Sequence, residues 1–167
     1  IVNGANIQEQ DGVLEVGPGI GTLTRELAQR AGQVVAVGID KALLPILEET
    51  LAGYNNVQVI HGDILKLDLS EILHRYFAGK NLKIVANLPY YITTPIIMRF
   101  LEEEIPFDTM VVMIQKEVAD RMAASPGTKD YGALSVGVQY FTHPRIIGKV
   151  PASVFFPPPK VDSTVIA

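Results

Sequence analysis

The chain has 167 residues, a formal net charge of −4, 48% hydrophobic and 19% charged residues, and no cysteine. This balance fits one compact domain and excludes a disordered chain, a disulfide framework and a thiolate metal site. No apolar run is long enough to cross a bilayer, and Ile1-Val2-Asn3-Gly4 has neither the basic start nor the apolar stretch of a signal peptide.

In chain order, short β-branched runs alternate with longer helical patterns, the signature of a parallel sheet covered by helices on both faces. Val13 to Val16 reads as the first strand, and Thr22 to Ala31 as a helix with Leu23, Leu27 and Ala28 at helical spacing. Val34 to Ile39 is a second buried strand, Asp40 a helix N-cap, and Ala42 to Leu51 the next helix. A third strand spans Val57 to Ile60, followed by a helix over Leu69 to Phe77 with Ser70 near its start. Leu82 to Ala86 forms a fourth strand, Pro95 to Glu103 a helix with proline in its first turn, and Met110 to Ile114 a fifth strand. Lys116 to Ala124 is helical and ends at the loop Ser125 to Asp130. Leu134 to Phe141 and Arg145 to Val150 each have the pattern of a strand, the proline-rich stretch Pro151 to Pro159 excludes helix and central strand, and Ser163 to Ile166 resumes a β pattern. Ending in a strand, with no polar tail, suggests a truncated product.

Glu15-Val16-Gly17-Pro18-Gly19-Ile20-Gly21 lies between the first strand and the first helix, where glycines permit a sharp turn and close approach of a ligand to the backbone. A dinucleotide fingerprint has glycine at its first, third and sixth positions. Counting from Gly17, the sixth position is Thr22, and the glycines fall at 17, 19 and 21 with an acid, Glu15, two residues ahead. That tighter spacing is the one shown by S-adenosylmethionine-dependent methyltransferases; a nicotinamide oxidoreductase is a minor alternative. His61, His74 and His143 have no ligand spacing, so no metal is expected.

Directly after the fourth strand stands Asn87-Leu88-Pro89-Tyr90, followed by Tyr91-Ile92-Thr93-Thr94-Pro95-Ile96 and Gln115-Lys116-Glu117-Val118-Ala119-Asp120-Arg121. Tyr131-Gly132-Ala133-Leu134-Ser135 and Val154-Phe155-Phe156-Pro157-Pro158-Pro159-Lys160-Val161-Asp162-Ser163 come later. Together these segments, in order across nearly the whole chain, resemble the ribosomal RNA adenine dimethyltransferase family. They look closer to its small-subunit branch than to the large-subunit resistance methylases.

The resemblance implies a Rossmann-like α/β methyltransferase fold, a seven-stranded, mostly parallel sheet with S-adenosylmethionine over the C-terminal ends of the early strands. Gly17, Gly19 and Gly21, with Glu15 ahead of them, would line the methionine end of the cofactor. Asp63 would accept from its adenine amine, and the Ile64 N–H would lie on the ring. Asn87 would contact the substrate and keep its cofactor-side neighbours aligned. The implied partner is ribosomal RNA, within a small ribosomal subunit or its precursor, in the cytoplasm and without membrane contact.

These residue types suit the chemistry. The exocyclic amine of adenine is a poor nucleophile, because its lone pair is delocalised into the ring, and it cannot be reached while the base is stacked. The Asn87 side-chain oxygen and the Leu88 carbonyl can accept from the two amine hydrogens, and Pro89 fixes the backbone that aims that carbonyl. Tyr90 offers one aromatic face and Phe155 the other, with Phe156 a rival for the second. Such stacking is worth roughly 1–3 kcal/mol per base, enough to offset a few kcal/mol of unstacking. Lys116, Arg121 and Lys160 are candidate phosphate contacts, although solvated surface charge is an equal reading of each.

Two departures from the family pattern stand out. Where an acid is expected to end the second strand and bind the cofactor's ribose hydroxyls, the sequence has Gly38, and only Asp40 remains downstream. The family's N-terminal cofactor-closing segment and C-terminal helical domain also have no counterpart in these 167 residues, so the chain is read as the catalytic core alone. The acidic balance argues against nucleic-acid binding by phosphate contacts alone. The rival to an active methyltransferase is therefore a catalytically weakened relative, serving as a ribosome-assembly or RNA-binding module.

Overall fold

The computed structural model describes residues 1–167, built on one seven-stranded sheet of order β3-β2-β1-β4-β5-β7-β6. The strands are β1 (Gly12–Val16), β2 (Gln33–Gly38), β3 (Val57–His61), β4 (Leu82–Asn87), β5 (Phe107–Gln115), β6 (Ile146–Val150) and β7 (Ser163–Ile166). β1 to β5 pair in parallel, and β7 runs antiparallel between β5 and β6. The expected mostly parallel sheet is thus present. Helices are α1 (Val2–Ala5), α2 (Thr22–Ala28), α3 (Leu44–Leu51), α4 (Leu69–Phe77), α5 (Thr93–Glu102), α6 (Lys116–Met122) and α7 (Ala133–Phe141).

Every residue of β1 is buried, because helices cover both faces of the central strands. Leu14, Val16, Val35, Val37, Ile84 and Ala86 face the larger core with residues of α4 to α7. Val13, Val34, Val85 and Val111 face the smaller one, against Leu27 and Ala28 of α2 and Ala5 of α1. No periodicity marks α1, a single turn whose Val2 and Ala5 pack on that second face.

The segment Leu134 to Phe141 is not a strand but helix α7. Its apolar residues at 134, 136, 138 and 140 satisfy a period of two, yet Ser135 and Val138 are buried while Val136 and Tyr140 are exposed. Side-chain hydrogen bonds decide the matter. Ser135 Oγ accepts the Gly132 N–H at 3.1 Å, capping the helix start, and donates to the Arg121 carbonyl. One turn on, Gln139 Nε2 donates to the Met122 and Ala124 carbonyls at 2.9 and 2.8 Å, closing the end of α6. Helical spacing sets the two side chains one turn apart, close enough to close the same end of α6.

Other boundaries shift by a few residues. Asp40 does cap, accepting the Ala42 N–H at 2.9 Å, but at a 3-10 turn (Lys41–Leu43) ahead of α3. Asp68 caps α4, accepting from Glu71 N–H at 3.0 Å. α5 begins two residues before Pro95, which is tolerated there because first-turn amides have no intrahelical partner. Arg99 on α5 reaches back to donate to the Ile64 and Leu67 carbonyls, the latter at 2.8 Å, and pairs with Glu103.

At the N-terminal end of the central strands lies a buried charge. Lys83, on β4, sits 3.6 Å from Asp11 and 3.1 Å from Asp108, with Lys83 6% and Asp11 2% exposed. Asp11 also accepts the Gln8 N–H at 2.8 Å. Replacing Lys83 by Met strands the Asp11 carboxylate without a counter-charge. We expect this to cost about 3–5 kcal/mol in urea unfolding; a loss under about 1 kcal/mol would show that water screens the pair.

Candidate functional site between the glycine-rich turn and Asn87-Leu88-Pro89-Tyr90

In the sheet order, the chain moves outward from β1 through β2 to β3, and then from β4 the other way. The C-terminal ends of β1 and β4 therefore flank the point where the winding reverses, the place where open α/β sheets form a ligand crevice. Val16 pairs with Ala86 in register, so the two segments beyond them emerge side by side. A Cβ on Gly17 would lie 3.8 Å from the Asn87 carbonyl oxygen and 4.0 Å from Pro89 Cδ. The glycine-rich turn and the second motif are thus in contact at this end of the sheet.

Gly17, Gly19 and Gly21 have φ of 74°, 56° and 90°, in the left-handed region that favours glycine. Their surroundings differ. Gly19 has nothing within 4 Å of its Cβ position, whereas that of Gly21 would press on Leu47 and Thr50 at 3.2 Å. Gly21 therefore lets α2 start close against α3, and Gly17 and Gly19 are the pair left toward the crevice.

Glu15, just below the turn, is fully buried, and neither carboxylate oxygen has a hydrogen-bond partner. Burial pushes its pKa up to about 7, against a smaller lowering by the adjacent Thr24 hydroxyl. Thr24 Oγ1 is itself without a partner, so the two lie side by side without a hydrogen bond of good geometry. A buried, unpaired acid at this end of β1 is a costly arrangement in the protein by itself.

Gly38 ends β2 and pairs with His61. Its Cβ position is 3.3 Å from Pro18 Cδ, so residue 38 abuts the glycine-rich turn, as a residue at the crevice rim must. Asp40 is turned to its own cap. His61 Nε2 lies 3.1 Å from the Ile39 carbonyl, a structural tie beside Gly38. Asp63 opens the turn after β3: Oδ1 accepts the Leu65 N–H at 3.0 Å, and Oδ2 is 3.8 Å from the exposed Lys66 ammonium. Ile64 is buried, and its N–H makes no backbone hydrogen bond.

Asn87 is exposed at the end of β4. The Leu88 N–H donates to the Met113 carbonyl at 3.1 Å, while the Pro89 carbonyl accepts from Ile92 N–H and Thr93 Oγ1. The Leu88 carbonyl, flanked by these two anchors, accepts no backbone hydrogen bond. A cleft of about 360 Å³ has Asn87 to Tyr90 on one side and Phe155, Phe156, Pro157 and Pro159 on the other. Phe155 is half-buried against the smaller core, and Phe156 is completely exposed. Ser163, to which the sequence motifs assign no role, lies behind this cleft with its Oγ 2.7 Å from the Tyr90 hydroxyl. The candidate phosphate contact Lys116 is paired with Asp120. A larger hollow of about 1070 Å³, between α5, β5 and the end of α7, contains no residue of the glycine-rich turn or of Asn87 to Tyr90.

The sequence profile described as ribosomal RNA adenine dimethylase matches residues 1–167. The ribosomal RNA small subunit methyltransferase A of Alkaliphilus oremlandii is 63% identical over 166 residues, covering 99% of this chain and 58% of the relative. Among solved structures, a dimethyladenosine transferase from Plasmodium falciparum superposes with a TM-score of 0.85 at 34% identity, over 99% of this chain and 57% of that one. The 23S rRNA methyltransferase ErmE superposes with a TM-score of 0.82 at 32% identity, over 98% and 63%. The chain thus spans less than two thirds of the length of these relatives.

The buried acid makes a prediction of definite sign. Between pH 4.5, the ordinary Glu value, and about 7, the folded protein holds a proton that the unfolded chain has released. Glu15 therefore lowers stability as pH rises through that window and has no further effect above it. Glu15→Gln should gain on the order of 3 kcal/mol relative to the parent between about pH 4 and about pH 8, at 1.36 kcal/mol per pH unit of pKa shift. Urea unfolding at both pH values measures this, and an equal difference at the two would show that the carboxylate is not desolvated.

Proposed function

This chain belongs to the ribosomal RNA adenine dimethylase family, and on that premise we propose that it transfers methyl groups from S-adenosylmethionine to the exocyclic amine of adenine in small-subunit ribosomal RNA. The observation that carries the proposal is the meeting of Gly17 with Asn87 and Pro89 at the reversal of the sheet. A cofactor seat and a base seat then share one crevice. We read the 167 residues as the catalytic core.

The residues fit the cofactor. S-adenosylmethionine, when bound, supplies an electrophilic methyl group on a positively charged sulfur. The unpaired Glu15 carboxylate suits a ligand that brings positive charge, and Gly17 and Gly19 let it approach the backbone. Asp63 has Oδ2 left to accept from an adenine amine once Oδ1 has made its turn, and the Ile64 N–H is free to donate. Gly38 stands where a ribose-binding acid would be, and has nothing to offer the hydroxyls.

Asn87 Oδ1 and the Leu88 carbonyl would each accept one hydrogen of the target amine, favouring a pyramidal nitrogen whose lone pair is free to attack. The Leu88 carbonyl is fixed by the two anchors beside it, so this acceptor is organised before substrate arrives. Tyr90 and Phe155, with Phe156 beside it, would hold the flipped base between aromatic faces. Neither acceptor need take the proton during attack, because it can leave to water afterwards. Positioning carries the rate.

A non-catalytic RNA-binding or assembly role is favoured by one observation, the missing side chain at Gly38. Transfer of labelled methyl from S-adenosylmethionine to unmodified small-subunit ribosomal RNA decides between the two readings. Asn87→Ala should abolish transfer while changing cofactor affinity less than about tenfold, since hydrogen bonds to the target rather than the cofactor are lost. Near-normal turnover in that variant would remove Asn87 from the chemistry.

Gly38→Glu restores a carboxylate at the rim. Isothermal titration should find S-adenosylmethionine bound tighter by about 1.5–3 kcal/mol, less the cost of displacing Pro18 by a few tenths of an ångström. An analogue lacking both ribose hydroxyls should bind the two proteins about equally. Unchanged affinity for the complete cofactor would mean that residue 38 does not address the ribose.

A further inference from the structure

We infer that Asp162 and Ser163 are positioning residues that fasten the two aromatic walls of the cleft to a common support and so set the width of the base slot. The inference rests on the reading of that cleft as the seat of an adenine.

Ser163 is the first residue of β7 and is 1% exposed. Its backbone is in register with Gln115 of β5 on one side and Val150 of β6 on the other, so it cannot move without the sheet. Its Oγ lies 2.7 Å from the Tyr90 hydroxyl, a contact between residues 73 apart in sequence. Tyr90 is only half-buried and stands on a turn, so its ring has no other fixed point at the hydroxyl end. The hydrogen bond pins the ring at its far end, leaving its face to the cleft.

Asp162 holds the opposite wall. Its Oδ1 accepts the Ala152 N–H at 2.9 Å, and Ala152 opens the short 3-10 turn (Ala152–Val154) that delivers Phe155 and Phe156. Its own carbonyl accepts the Lys116 N–H at 3.0 Å, tying it to the end of β5. Adjacent residues thus grip Tyr90 and the phenylalanine turn from one rigid strand end. Side-chain capture of this kind leaves less motion to be lost when a base enters.

The test is a double-mutant cycle on the full protein, read by methyl transfer to ribosomal RNA and by quenching of 2-aminopurine in a single-stranded RNA oligonucleotide. Quenching reports stacking and needs no turnover. Ser163→Ala and Tyr90→Phe should each lower kcat/KM about 2- to 10-fold, the weight of one neutral hydrogen bond, and each should weaken quenching. Cofactor affinity should stay within about twofold. The double variant should lose no more than either single one, because both remove the same bond. Tyr90→Ala, which removes the ring, should lose far more. Asp162→Ala should weaken quenching as well, and Asp162→Asn, which keeps an acceptor oxygen, should recover most of the loss. Multiplying losses in the double variant, or a parent-like Ser163→Ala in a protein that methylates and quenches, overturns the inference. If the parent protein itself neither methylates RNA nor quenches the probe, the reading of the cleft as an adenine seat fails, and the inference falls with it.

Discussion

The parallel pairing of β1 with β4 is the constraint on which the rest of the structure depends. Both strands are largely apolar and buried on both faces, so their alignment is fixed by the cores they separate. Right-handed crossovers then carry the chain away from this pair in opposite directions. No helix can cover the gap between the two departures. The segments beyond Val16 and Ala86 are forced together, and the sequence puts its glycine-rich turn in one place and Asn87 in the other. A one-residue slip of β4 would turn Asn87 to the other face and close the crevice with Ala86.

Buried charge is handled differently at the two ends of these strands. At the N-terminal end Lys83 is matched by Asp11 and Asp108, and Asp11 has a further backbone donor. That end is complete in itself. At the C-terminal end Glu15 has no partner, the Leu88 carbonyl takes no backbone hydrogen bond, and the Ile64 amide gives none. These three groups lie at the end where the sheet opens, which is where a polar ligand would satisfy them.

How much of this is legible in the sequence depends on the range of the forces involved. The central strands and the glycine-rich turn are legible because their signals are local: continuous apolar runs, and glycines where φ must be positive. α7 is not, because Leu134, Val136, Val138 and Tyr140 alternate with the period of a strand, and the deciding bonds run from Ser135 and Gln139 to carbonyls at the end of another helix. Gly21 looks like its companions in the turn, yet its space is taken by Leu47 and Thr50 of α3. The motif residues Asn87 to Tyr90 and Phe155 are assigned through family resemblance, and the cleft does bring them together. Ser163 closes the proline-rich motif, but a hydroxyl facing another hydroxyl 73 residues away leaves no trace in spacing.

Arg99 gives the site a mechanical property. Its guanidinium is hydrogen-bonded to the carbonyls of Ile64 and Leu67, and its backbone belongs to α5, the helix that begins three residues after Tyr90. The turn bearing Asp63 and the loop bearing Asn87 are therefore linked through α5, although they come after different strands. A shift of α5 as a body thus acts on both segments at once.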